Sequence, residues 1–312
     1  MCRLKMILQG GMYVAPPPHI MSKGLLLHML ISEAIQAIQD YCDGIDAFTG
    51  KPIELATTRD QVLYGDIDQQ CTGIVTCIWA TAEVIRRAKE LGANLIVPHE
   101  ALFWNHGDRR EVVAGNKTFE AKCALLDEWG GAVWRCHDYI HSGVPLASDG
   151  SMVDGVFYGF AVKMDWLGSA VDETFMRYRI EPTPARDLAQ ALVHKLGLNG
   201  TRLIGDGDAL VRNVEIPMHI MGRDNDEIAH IDSEGIDCIL TMEFVDFTVS
   251  EYIRDAAMLG QGKCAIHMGH FNGEEPGMEY MAKWLPAALG DAGTGLPVTF
   301  VPMGDTYQYV LA

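Results

Sequence analysis

Lys263-Cys264-Ala265-Ile266-His267-Met268 reads as a buried strand, and Gly269-His270-Phe271-Asn272-Gly273-Glu274-Glu275-Pro276 follows it directly. Met278, Met281, Leu285 and Leu289 then recur at helical spacing. An imidazole and a carboxylate are therefore expected in the turn between a strand's carboxyl end and a helix, where open α/β sheets bind ligands. Two further stretches repeat this design. Asn94-Leu95-Ile96-Val97 reads as a strand closed by Pro98-His99-Glu100, and Ala132-Val133-Trp134-Arg135-Cys136 as one closed by His137-Asp138-Tyr139-Ile140-His141.

The rest of the chain arranges itself around these ends. Ile31, Ala34, Ile35, Ile38 and Cys42 give one apolar helical face, with Ser32 as its N-cap. Gly73 to Ile78 reads as a β-branched strand, Thr81 caps a helix through Val84, Ile85, Ala88 and Leu91, and Gly92 stops it before the next strand. A strand–helix–strand unit of this kind favours a parallel, right-handed crossover. Turn-rich sequence from Gly143 to Gly155 marks a boundary, after which strands and helices alternate again.

The expected fold class is α/β, with two α/β lobes, the second inserted into the first, and a mainly parallel sheet in the metal-binding lobe. Residues 30–150 plus 262–312 would form that lobe, with the strand at Lys263 completing it, and residues 151–261 the inserted one. Residues 1–29, with Pro16-Pro17-Pro18 and no sustained period, read as a disordered or foreign extension.

A chain of 312 residues that is 48% hydrophobic can bury sizeable cores. The formal net charge of -18 argues against nucleic acid and anionic membranes as partners, because phosphate contacts need clustered Lys and Arg. No apolar run approaches the roughly 20 residues that span a bilayer. Eight scattered cysteines without a Cys-x-x-Cys pair read as reduced thiols, so a cytoplasmic location is expected.

His99, Glu100, His141, His270 and Glu274 are five ligand-type side chains at three strand ends. Imidazole with carboxylate suits Zn, Mn, Fe or Ni. Five exceed the three protein ligands of a usual catalytic zinc, so two divalent ions per subunit is the economical reading. His106 and His137 are the candidate catalytic side chains, placed for proton transfer. His137 also reads as a sixth ligand or as a group orienting His141, and the loop holding His106 and Asp108 also reads as an ordinary polar loop.

Gly269-His270-Phe271-Asn272-Gly273-Glu274 is similar to the C-terminal GH-x-x-x-E element of the dinuclear metal-centre proteins of the GTP cyclohydrolase I type 2 family, also called interacting-factor-three-like proteins. The resemblance runs from about Ser32 to Val301. Asn94 to Glu100 resembles the segment that normally ends in His-His-Pro, and His137 to His141 lies where the family has His-Thr-Asn-Leu-Asp. Glu100 thus stands for a His and His141 for an Asp, an exchange that leaves the ligand set's total charge unchanged.

The resemblance implies a ring-shaped homo-hexamer with its metal sites facing inward. The expected function is a metal-dependent hydrolase that acts through a metal-bound water on an unidentified small molecule. The alternative is a non-catalytic metal-binding ring that recruits a partner or has a regulatory role.

Overall fold

Helix α1 (Ile31–Tyr41) buries Ile31, Ala34, Ile35 and Ile38 on one face. Its first residue is Ile31 rather than one beyond Ser32, because the Leu30 N–H is already satisfied by the Glu33 carboxylate at 2.7 Å. Strand β1 (Val62–Tyr64) follows. The computed structural model describes residues 29–47, 49–217, 219–243 and 246–311. The expected extension therefore lies outside the described residues except for Met29, which is buried in the first core and whose carbonyl accepts the Cys71 N–H.

Strands β2 (Ile74–Cys77) and β3 (Leu95–Pro98) are buried at every position, as a parallel sheet covered on both faces requires. Between them runs α2 (Ala82–Leu91), capped by the Thr81 side chain accepting the Val84 N–H and ended by left-handed Gly92. Helix α3 (Lys117–Trp129), capped by Asn116, leads to β4 (Ala132–Trp134). A short helix α4 (Asp138–Ser142), a hairpin of β5 (Val144–Pro145) and β6 (Met152–Val153), and helix α5 (Gly155–Met164) come next.

A second run holds β7 (Arg177–Pro184), α6 (Ala185–Leu196), β8 (Arg202–Gly205) and β9 (Leu210–Glu215). It continues through α7 (Asp224–Ser233), β10 (Cys238–Thr241), α8 (Val249–Met258) and β11 (Cys264–His267). The long helix α9 (His270–Leu289) and β12 (Val298–Phe300) close the fold.

The result is an α/β protein with two mixed five-stranded sheets, ordered β1-β4-β3-β2-β12 and β7-β9-β10-β11-β8. In the first, only β1 is antiparallel to its neighbour. In the second, β9, β10 and β11 are parallel and the two edges, β7 and β8, antiparallel. Strand β11 thus departs from the expectation that it completes the first sheet. The cause is α8, which makes β10-α8-β11 a crossover unit, and such units return beside the strand they leave.

The chain re-enters the first core only with α9, whose Met278, Met281, Leu285 and Leu289 pack with α1 and with β2. Helices α5 and α9 cross at glycines. A Cβ on Gly159 would lie 2.6 Å from the Gly277 Cα, and one on Gly277 would lie 2.5 Å from the Val156 Cα. Among the described residues, no helix is long and apolar enough to cross a membrane.

Candidate metal centre

Backbone hydrogen bonds continue past the end of β3 and fix the first pair of side chains. The His99 N–H donates to the Cys77 carbonyl at 3.2 Å and the Glu100 N–H to that of Ile78 at 2.9 Å. His137 and His141 are four residues apart at α4, so both project from one helical face. Asp60 holds the start of α4 by accepting the N–H groups of His137, Asp138 and Tyr139 at 2.6, 2.9 and 2.8 Å. Burial raises the Asp60 carboxyl to about 6 in spite of those three bonds.

His270 and Glu274 do not occupy a turn, as expected, but the first two turns of α9. Helix begins at His270 because Gly269, at φ 91°, makes the whole change of direction. The neighbouring Glu275 holds the chain after β12 instead, its Oε1 accepting the Met303 N–H at 2.7 Å.

All five residues read as ligands come together, and His137 joins them. The His99 ring stacks on His137 with centroids 4.5 Å apart, and His141 lies 5.0 Å from His99 and 5.1 Å from His137. Each Nδ1 is anchored: His99 on the Cys136 carbonyl at 3.1 Å, His137 on Asp138 at 2.9 Å and His141 on Asp154 at 2.8 Å. That leaves Nε2 of each ring for an ion, the arrangement usual in histidine-ligated metals. One donor atom from each of His99, His137 and His141 falls within a sphere of mutual separation 4.8 Å, and His99, Glu100 and Glu274 form a second such group.

The second group adjoins His270. Its Nε2 is 3.1 Å from Glu100 Oε1 and 3.3 Å from Glu274 Oε2, and its Nδ1 is 3.1 Å from Glu243. Among the described residues buried His99 Nε2 has no hydrogen-bond partner, and the buried Glu274 Oε2 lies 3.6 Å from it and 3.3 Å from His270 Nε2. An unpartnered imidazole nitrogen beside a carboxylate oxygen fits a divalent cation.

Charge is balanced tightly here. Burial depresses His270, but its hydrogen bonds to Glu100, Glu243 and Glu274 outweigh this and raise it to about 12. Burial likewise opposes Asp154 at His141, and Asp154 wins, lifting it to about 9. His99 and His137 are held below the usual imidazole range, first by burial. Burial would raise Glu100, but the His270 hydrogen bond and the charges of His99 and Arg135 hold it far below the carboxylate range.

A cavity of about 570 Å³ opens on these groups, lined also by His106, Arg59, Phe157 and Arg223. His106 Nε2 accepts from Arg59 Nε at 2.5 Å, and its ring is 5.8 Å from His137. Burial first, then Arg135 and Arg59, lower its pKa. Asp108 lines an adjoining hollow of about 420 Å³ instead.

Several contributing residues carried no expectation. Glu243 follows β10, so the strand-end rule that found His99 would also have found it. It also groups with His219 and His270. Asp154 reads only as the cap of α5, yet its second oxygen anchors His141. Arg135, 1% exposed, sits inside an apolar run.

The sequence profile of the family described as Duf34/NIF3 (NGG1p interacting factor 3) matches residues 38–124 and 151–306. These stretches hold His99, Glu100, His270 and Glu274, whereas His137 and His141 fall between them. The chain is 24% identical over 257 residues to a Clostridium perfringens (strain 13 / Type A) protein called GTP cyclohydrolase 1 type 2 homolog, covering 80% of this chain and 88% of the relative.

Its fold is similar to that of a Bacillus cereus protein related to NIF3, with a TM-score of 0.66 at 14% identity over 90% of this chain and 99% of the other. A Staphylococcus aureus structure aligns with a TM-score of 0.64 at 16% identity, over 90% of this chain and 99% of the other. With matched stretches that span most of its length, the chain belongs to the Duf34/NIF3 family.

Proposed function

We propose that this protein is a divalent-metal-dependent hydrolase acting on a small molecule, with ions held among His99, Glu100, His137, His141, His270 and Glu274. The observation that carries this reading is the buried, unpartnered His99 Nε2 standing 3.6 Å from the buried carboxylate oxygen Glu274 Oε2. Left unsatisfied, that nitrogen would cost about 1–3 kcal/mol. A bound Zn, Mn, Fe or Ni ion supplies Lewis acidity and makes coordinated water a stronger acid at neutral pH.

The chain's own residues do the rest. Phe157 and Met242 line the cavity with apolar surface beside the polar cluster and limit its hydration. Arg59 orients His106 by donating to its Nε2, and the lowered pKa favours the neutral ring, which becomes a proton acceptor when Arg59 releases that nitrogen. The name of the Clostridium relative supports a hydrolytic activity on a heterocycle. The assembly proposed for this chain is the homo-hexamer that its sequence resemblance implies.

Purified, metal-loaded protein would be screened against nucleotides, cyclic amides and phosphoesters, with and without chelator. Chelator-sensitive turnover of one class is the expected result. A protein that retains no metal, or turnover indifferent to chelation, would reject the reading.

A further inference from the structure

We propose that the two halves of this centre are unequal. His99, His137 and His141 form a tris-imidazole position that holds one borderline divalent ion, such as Zn(II) or Co(II), on its own. The half made by Glu100, His270 and Glu274 takes a second ion only weakly. This inference rests on the metal-dependent reading above and specifies which side chains carry it.

The argument begins with preorganisation. All three rings have Nδ1 anchored, His99 by a carbonyl and the other two by carboxylates at 2.9 and 2.8 Å. Such anchors fix the tautomer and make the remaining nitrogen more basic. The backbone beneath is fixed as well: Asp60 ties down the start of α4, and β2 ties down His99. A set of three imidazoles suits zinc and cobalt, with His141 giving up to solvent the proton that Asp154 favours when the ion binds.

The other half is compromised by Arg135. Its Nη2 is 3.0 Å from Glu100 Oε2, while Nε and Nη1 donate to the carbonyls of His99 and His106 at 2.9 and 2.8 Å. With three nitrogens engaged, the guanidinium cannot swing away. Glu100 therefore presents Oε1 to the cluster, while Oε2, held by the guanidinium, is the poorer ligand for a second ion. A second ion would also stand near a fixed positive charge in a buried site, where screening is weak.

The test is a Co(II) titration of metal-stripped protein, followed by visible absorption and by calorimetry, with X-ray absorption on the zinc-loaded form. The expected result is one tight step with three imidazoles on the ion, and a second step weaker by on the order of 100-fold. His137→Gln should weaken the tight step by on the order of 100-fold, as loss of a ligand should exceed the tenfold to hundredfold cost of losing its anchor. Glu100→Gln should leave the tight step unchanged and weaken the second.

Two equal steps that both survive His137→Gln would overturn the inference and leave the metal-dependent reading standing. Absence of any binding would overturn both. If circular dichroism shows that His137→Gln is unfolded, the count of imidazoles on zinc in the unaltered protein decides, and two or fewer overturns the inference.

Discussion

Arg135 and Glu100 form a buried ion pair at 3.0 Å, with side chains 1% and 11% exposed. Glu100 occupies the position where the family resemblance expects a neutral histidine, and Arg135 returns that position to neutrality. Removing one partner of a buried pair leaves the other charge uncompensated. Arg135→Met is therefore expected to cost about 3–5 kcal/mol of stability. The double variant Arg135→Met with Glu100→Gln should recover part of that loss, because Glu100 is no longer uncompensated while Asp108, 3.8 Å from Arg135, still loses its counter-charge. Urea unfolding of the parent, Arg135→Met, Glu100→Gln and the double variant, in metal-free buffer, measures this as a double-mutant cycle.

Glu100→His together with His141→Asp would give this chain the ligand pair that the family resemblance leads one to expect. The structure argues that the exchange would not preserve metal binding. His141 Nδ1 is 2.8 Å from Asp154, so an Asp at 141 would set two carboxylates against each other. A His at 100 would leave Arg135 without its counter-charge. The double variant should hold less metal than the parent by elemental analysis, and parent-like content would contradict the role given to Asp154 and Arg135.

What was legible in the sequence follows from local signals. Thr81 and Gly92 mark both ends of α2, and the buried strands on either side could pair only in a covered sheet. The three strand ends announced His99, Glu100, His141, His270 and Glu274 by position alone. Partner choice was not legible. Cys264–His267 is apolar on both faces, which a central strand of either sheet would be, and only the α8 crossover assigns it to the second. Arg135 was hidden for a related reason. Its partner Glu100 is 35 residues distant, and a single arginine in an apolar run carries no sign of the pair it will make.

Lys122 offers a pH test away from the proposed ligands. It is 7% exposed, donates to the Leu102 carbonyl at 2.7 Å and lies 5.6 Å from the ring centres of Trp79 and Trp104. Burial lowers its pKa to about 8 from 10.5. The folded state thus disfavours the charged amine, and below pH 8 this penalty is fully present. Between about pH 8 and 10.5 the unfolded chain binds more protons than the folded one, so stability contributed at this site rises with pH. Relative to Lys122→Met, the parent should gain on the order of 3 kcal/mol across that window. Denaturant midpoints of both proteins at several pH values check the sign and the size.

Assembly is tested without any variant. If the proposed homo-hexamer forms, light scattering across micromolar concentrations should give the mass of six chains. A monomer throughout that range would reject the hexamer while leaving the metal centre, built within one chain, unaffected.

The glycine crossing of α5 and α9 links packing to the proposed centre. Gly159 and Gly277 let the two helices approach so closely that an added Cβ would overlap backbone atoms at 2.5–2.6 Å. Backbone cannot yield as a flexible side chain can, so Gly277→Ala must push the helices apart. Overpacking of this kind typically costs about 1–3 kcal/mol. The displacement also has a chemical consequence. Helix α9 carries His270 and Glu274, and α5 begins at Asp154, which anchors His141. Separating the helices should therefore misplace Glu274 relative to His99 and lower metal content. Gly168→Ala is the control: like Gly277 it lies outside the left-handed region, but nothing lies within 4 Å of its added Cβ. A Gly277→Ala protein with parent-like melting temperature and metal content would show that the crossing does not set the position of these side chains.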